Sequence, residues 1–210
     1  MQLFISGIRS FMGLSGIELV TVKRRERIHA YIQAADKARA LVAGLLLRQF
    51  CGVTDDSQLA YGKNGKPYLK DKGGSSAGGI YFNLSHSGDY VVLAVADNEV
   101  GVDIEKVTPY SDAVAARCFT QRELEYLQSK RTNEAFYRLW TAKESVMKAS
   151  GLGFSLPPET FDVMPMDASA HIIAGKTLFF HCLQYEGHMI CCATQDKFDK
   201  MEVHYEKVLS

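Results

Sequence analysis

The run VGVDIEKV, residues 100–107, sets two carboxylates two positions apart among apolar residues. Side chains alternate faces along a strand, so Asp103 and Glu105 point one way while Val102 and Ile104 point the other. Like charges side by side repel, and their placement is most simply explained by a cation, or a cluster of basic groups, that both serve. In RLWTAKESVMKASGLG, Trp140, Glu144 and Lys148 follow at four-residue steps and share one helix face. A solvated Glu–Lys pair beside a core tryptophan is the ordinary reading of that spacing. Joined to Asp103 and Glu105, Glu144 completes a three-carboxylate set suited to Mg²⁺, a hard cation that prefers oxygen and shares its shell with water and phosphates. Mn²⁺ suits the same set.

Other segments point to an anion. FNLSHSG, residues 82–88, gathers Ser85, His86 and Ser87 at a strand end before a glycine. Adjacent residues rarely meet as nucleophile and base, whereas hydroxyl, imidazole and backbone N–H groups at such a junction suit phosphate oxygens. GKNGKP, residues 62–67, carries Lys63 and Lys66 on a glycine loop able to approach a phosphate or a planar ring; a plain solvated turn reads equally well. Arg24, Arg25 and Arg27 form a basic cluster that, taken alone, is a solvated helix face. His181, Cys182, His188, Cys191 and Cys192 invite a zinc reading, which is weak because neighbours in strand-like runs point to opposite faces.

These residues need elements to position them. QLFISGI reads as a strand, and ADKARALVAGLLLRQFCGV as a long helix that Gly52 ends. YGKNGKPYL reads as a loop leading into a short extended piece, and residues 81–105 as three strands joined by turns. Helices follow near 111–118, 121–129 and 133–150, then strands near 177–183 and 188–194. Helices and strands interleave in each half, which argues for an α+β architecture. A shift of 99 residues pairs Arg39 with Arg138, Gly52 with Gly151, Gly88 with Gly187, Ala94 with Ala193 and Asp97 with Asp196. Two similar subdomains, 1–99 and 100–210, are therefore expected in a pseudo-two-fold arrangement with a ligand cleft between them.

Bulk properties limit the classes. The chain has 210 residues, 47% hydrophobic and 23% charged, as in an ordinary soluble globular protein. Its formal net charge is zero, so nothing pulls the whole molecule towards nucleic acid or an anionic membrane, and any anion site must be local. No stretch approaches the roughly 20 apolar residues of a membrane helix, and MQLFISGIRSFMG lacks the order of a signal peptide, which points to the cytoplasm. An odd number of cysteines without C-x-x-C suits a reducing compartment.

The segments GKNGKPYL, FNLSHSG, GVDIE and FYRLWTAKESVMKASGLGFSLP, in this order, resemble the Sfp-type 4′-phosphopantetheinyl transferases. The resemblance implies a monomer of two similar α+β halves that binds coenzyme A with Mg²⁺ in the cleft between them. It implies transfer of the 4′-phosphopantetheine arm to a serine hydroxyl of an acyl, peptidyl or aryl carrier protein, with release of adenosine 3′,5′-bisphosphate. On the same matching, Asp103, Glu105 and Glu144 would hold the metal, and Glu144 would also draw the proton from the carrier serine. Lys148 would stabilise the pyrophosphate and the leaving group, so that Glu144, Lys148 and Asp103 carry the catalysis. Arg39, Lys63, Lys66, Ser85 and His86 would position the adenine and 3′-phosphate end, with Lys143 a supporting contact. The VKRRER segment stands where the family often has lysines near the 3′-phosphate. Residues 106–130, Phe119 among them, lie where the family meets its carrier protein, typically an acidic helical bundle.

Overall fold

The alternating apolar sets of QLFISG, Leu3 and Ile5 against Phe4, are all buried in strand β1, Gln2–Gly7. A strand buried on both faces needs a covering layer on each side, and that requirement organises the fold. The structure is a computed structural model and describes residues 1–70, 79–166, 170–197 and 201–205. After β1 come α1 (Val22–Ala30) and α2 (Ala34–Cys51). Gly52 ends α2 in the left-handed conformation that glycine adopts without strain, its N–H returning to the Leu47 carbonyl. Strands β2 (Leu59–Tyr61) and β3 (Pro67–Leu69) form a small hairpin where a loop was expected. Then follow β4 (Tyr81–Ser87), β5 (Tyr90–Ala96) and β6 (Val100–Lys106). The second half supplies α3 (Asp112–Cys118), α4 (Gln121–Lys130) and α5 (Asn133–Ser150). The described strands end with β7 (His171–Ile173), β8 (Lys176–Tyr185), β9 (His188–Thr194) and β10 (Glu202–Tyr205).

Two four-stranded sheets form, in the orders β10-β1-β5-β4 and β6-β9-β8-β7. The antiparallel run β1, β5, β4 of the first is repeated as β6, β9, β8 in the second. Helices α2 and α5 begin and end 99 residues apart and close on the equivalent glycines 52 and 151, both with positive φ. The α+β fold of two similar halves is thus as expected. One piece crosses over: Glu202–Tyr205, expected in the 100–210 subdomain, pairs in parallel with β1 and belongs to the first sheet.

The sheets lie face to face between the two long helices. Phe4, Val91 and Leu93 point from the first sheet towards α2, while Leu3, Ile5, Val92 and Ala94 point the other way, against Val102, Ile104 and Ile190 of the second. Cys191 and Ala193 in turn face Val146 and Leu139 of α5. The order is helix, sheet, sheet, helix, which is why YVVLAVA and HMICCAT are apolar almost throughout instead of alternating. Each fully buried leucine, isoleucine or valine here contributes about 1.5–3 kcal/mol. Cys182 and Cys191 are directly opposed on β8 and β9 and joined as a disulfide. No helix among the described residues is long and apolar enough to cross a membrane.

Candidate active site

Strands β4 and β6 run side by side along the seam between the halves, where side chains take over from a backbone ladder. Asn83 Oδ1 accepts the Val102 N–H at 2.9 Å, and Ser85 Oγ donates to Asp103 Oδ1 at 2.8 Å. Ser87 Oγ donates to Glu105 Oε2 at 3.0 Å and accepts the Lys106 N–H at 3.1 Å. Asn83, Ser85 and Ser87 sit at alternate positions, so one polar edge of β4 steadies both carboxylates of β6.

Gly101 admits the helix. A Cβ there would lie 2.0 Å from the Ser145 carbonyl oxygen and 2.4 Å from the Ala149 nitrogen. Only hydrogen fits, so α5 settles on the face of β6 that carries Asp103 and Glu105. Lys148 Nζ then donates to Asp103 Oδ1 at 2.7 Å, Ser85 Oγ at 3.1 Å and the Val102 carbonyl at 3.2 Å. Glu144 lies one turn earlier, and burial, with the Asp103 charge, holds its carboxyl above the ordinary pKa. Burial and Asp103 raise Glu105 in the same direction, against the hydrogen bond from Ser87.

Asp103 Oδ2 is buried and has no hydrogen-bond partner. An orphaned carboxylate oxygen, beside two carboxylates that resist ionisation, is the environment a hard cation relieves. Among the described residues no three ligands are already drawn together as a metal cluster. The fit to Mg²⁺ therefore rests on the oxygen donors and on Oδ2.

Across the seam, on the α1 and α2 side of β4, a cavity of about 410 Å³ is lined by Arg24, Arg27, Arg39, Ser85, His86 and the Gly65 backbone of the hairpin. Arg39 donates to the Gly88 carbonyl at 2.7 Å and pairs with Asp36 at 2.6 Å, while its Nε is buried without a partner. Burial, and then the Arg27 charge, lower the pKa of Arg24, and Arg27 donates to the Tyr31 hydroxyl at 3.1 Å. Three guanidinium groups on one cavity make an anion site with room for a phosphorylated ligand.

Asp103, Glu105, Glu144, Lys148, Ser85, His86 and Arg39 thus come together along the seam. Of the other expected contacts, Lys66 borders the seam, sharing a small cavity with Lys148 and Asn83, but its ammonium is engaged elsewhere, while Lys63 and Lys143 do not join it. Lys66 Nζ pairs with Glu99 at 2.5 Å and donates to the carbonyls of Val100 and Ala149, so it clasps the hairpin to the second half. Lys63 is exposed on the hairpin turn and is not part of the cavity wall. Lys143 is 0% exposed, pairs with the equally buried Glu123 at 2.7 Å and donates to the Pro158 and Phe161 carbonyls. It is one residue from Glu144 in sequence, yet a helix turns neighbours about 100° apart, and Lys143 faces the interior of the second half. Phe119 is also internal, 3% exposed and packed on Phe136. Asn83, Asp36 and Glu123 went unremarked in the sequence; the alternation N-L-S-H-S was the available signal for Asn83, whereas Asp36 and Glu123 resemble ordinary helix-start acids.

Residues 99–196 match the 4′-phosphopantetheinyl transferase superfamily, and residues 14–98 match "4′-phosphopantetheinyl transferase, N-terminal". A 4′-phosphopantetheinyl transferase of Bacillus subtilis is 33% identical over 156 residues, covering 70% of this chain and 67% of the relative. One from Aneurinibacillus migulanus is 32% identical over 150 residues, covering 68% and 60%. The human L-aminoadipate-semialdehyde dehydrogenase-phosphopantetheinyl transferase is 30% identical over 186 residues, covering 80% and 60%. The aligned regions thus span about three fifths to two thirds of these curated relatives.

Proposed function

The chain belongs to the 4′-phosphopantetheinyl transferase superfamily, and from that premise we propose that it moves the 4′-phosphopantetheine arm of coenzyme A onto a serine of a carrier protein. The observation that carries the proposal is the seam itself: an arginine-lined cavity on one side, and on the other three carboxylates and Lys148, bridged by Ser85.

In this reading Arg24, Arg27 and Arg39 hold the 3′-phosphate end of coenzyme A by charge-assisted hydrogen bonds, with His86 and Ser85 along the path to the diphosphate. Asp103, Glu105 and Glu144 are the residues that would hold Mg²⁺ or Mn²⁺, and such a cation, when bound, neutralises charge on the diphosphate. Lys148, presented one turn after Glu144, faces the same phosphate groups. Glu144 takes the proton of the carrier serine; its raised pKa brings it nearer the working pH of a general base. The serine oxygen forms a bond to the phosphorus of the arm as the bond to adenosine 3′,5′-bisphosphate breaks. No covalent enzyme intermediate is needed. With Phe119 internal, the carrier meets the outer face of α3 and the turn after α5, where Val114 and Phe154 are exposed beside Arg117. We place the protein in the cytoplasm as a monomer.

The test is intact-mass spectrometry of apo acyl and apo peptidyl carrier proteins incubated with the protein, coenzyme A and Mg²⁺, with EDTA controls. A metal-dependent gain of one phosphopantetheine arm is expected. Cleavage of coenzyme A without a carrier, or no gain on any carrier, overturns the proposal.

A further inference from the structure

The internal duplication extends to the anion cavity. A second cavity, of about 370 Å³, lies in the other half between the start of α5, the end of α4 and strands β8 and β9. Its wall repeats that of the first at the 99-residue offset. Arg138 takes the place of Arg39, Lys130 that of Tyr31, Tyr126 that of Arg27, and Gln184 that of Ser85.

Three changes at these positions alter its charge: Tyr126 in place of Arg27 removes a cation, Lys130 in place of Tyr31 adds one, and Ala135 in place of Asp36 removes an acid. Asp36, which pairs with Arg39, becomes Ala135, so Arg138 has no ion-pair partner among the described residues. Among the described residues its guanidinium makes one long contact, 3.4 Å to the Met166 carbonyl, and its Nε is buried and unpartnered. Lys130, the second cation of the wall, sits 5.9 Å from the centre of the Tyr126 ring. Glu134 is the one acid of the lining among the described residues, where the cations Lys130 and Arg138 are in excess. The catalytic carboxylates are not duplicated: the offset sets Phe4 against Asp103, Ser6 against Glu105 and Leu45 against Glu144.

We infer that this cavity is a second, non-catalytic anion site, which takes a small phosphorylated ligand through Arg138 and Lys130 and lacks counterparts of the three seam carboxylates that would hold a metal or take a proton. The inference rests on reading the first cavity as a phosphate site. Buried guanidinium nitrogens without partners are costly, and a phosphate satisfies both Nε and the outer nitrogens in one contact.

The test is calorimetric titration of the whole protein with inorganic pyrophosphate in EDTA, so that no metal contributes, on wild type, Arg39→Gln, Arg138→Gln and Lys130→Gln. Two binding events are expected in the wild type. Arg138→Gln should weaken one of them roughly tenfold or more and leave the other intact, with Arg39→Gln showing the reverse. Lys130 is exposed, so Lys130→Gln keeps the test valid should Arg138→Gln fold poorly. A single event that Arg39→Gln abolishes and the other two variants leave unchanged sinks the second site while sparing the first. An event that survives Arg39→Gln in full and fails in Arg138→Gln sinks the reading of the first cavity instead.

Discussion

Replacing Lys143 by methionine tests whether this lysine belongs to the core or to the coenzyme A site. Its ammonium is fully buried, 2.7 Å from the fully buried Glu123 carboxylate, and donates to the carbonyls of Pro158 at 2.7 Å and Phe161 at 2.6 Å. Methionine fills similar volume and restores none of those contacts, leaving Glu123 charged and uncompensated. Removing one partner of a buried pair costs about 3–5 kcal/mol. For a chain of this size each kcal/mol lowers Tm by about 2–4 °C, so differential scanning calorimetry should record a fall of roughly 6–20 °C. Adding Glu123→Gln should recover part of the loss, because the amide oxygen can still accept the Val163 N–H, which now reaches Oε1 at 2.9 Å, while the stranded charge is gone. The KM for coenzyme A should stay near that of the wild type in both variants. An unchanged Tm with a many-fold higher KM would refute this account and return Lys143 to the ligand.

Further expectations concern the seam. Glu144→Gln should slow transfer by about 10²–10⁴-fold in the mass-spectrometric assay. The same variant should melt higher than the wild type at pH 7 without metal: a carboxyl whose folded pKa is raised contributes stability below its unfolded value of 4.5 and loses it as pH rises through the folded pKa, a loss glutamine does not share. The gap should close near pH 4, and a gap independent of pH counts against the electrostatic cause. Gly101→Ala should cost at least about 1–3 kcal/mol and depress kcat, since α5 must move away from β6 and take Glu144 and Lys148 with it. Wild-type melting and turnover in that variant would contradict the close approach. Arg39→Gln should raise KM for coenzyme A about 10–100-fold with little change in kcat, because it removes a charged contact remote from the reacting phosphorus. A kcat effect of that size would move Arg39 into the chemistry.

Much was legible from local pattern. The 99-residue echo follows from comparing the chain with itself, the helix ends from Gly52 and Gly151, and the strands of residues 81–106 from an alternation that neighbours along the chain impose by themselves. The same logic placed Asp103 and Glu105 on one face of β6, and Glu144 and Lys148 on one face of α5. Apart from the local Asp36–Arg39 pair of α2, tertiary packing decided which charged groups meet. Lys143 and Lys148 lie in one helix, but Glu123 and the Pro158–Phe161 turn draw the first inward, while Gly101 lets the second reach Asp103. Lys66 was captured by Glu99, Phe119 by Phe136, and the terminal strand Glu202–Tyr205 by the open edge of β1. A residue's own type and spacing say that it can bind an anion or fill a core. The partner that outbids the alternatives comes from distant sequence, through burial that makes an unpaired charge expensive.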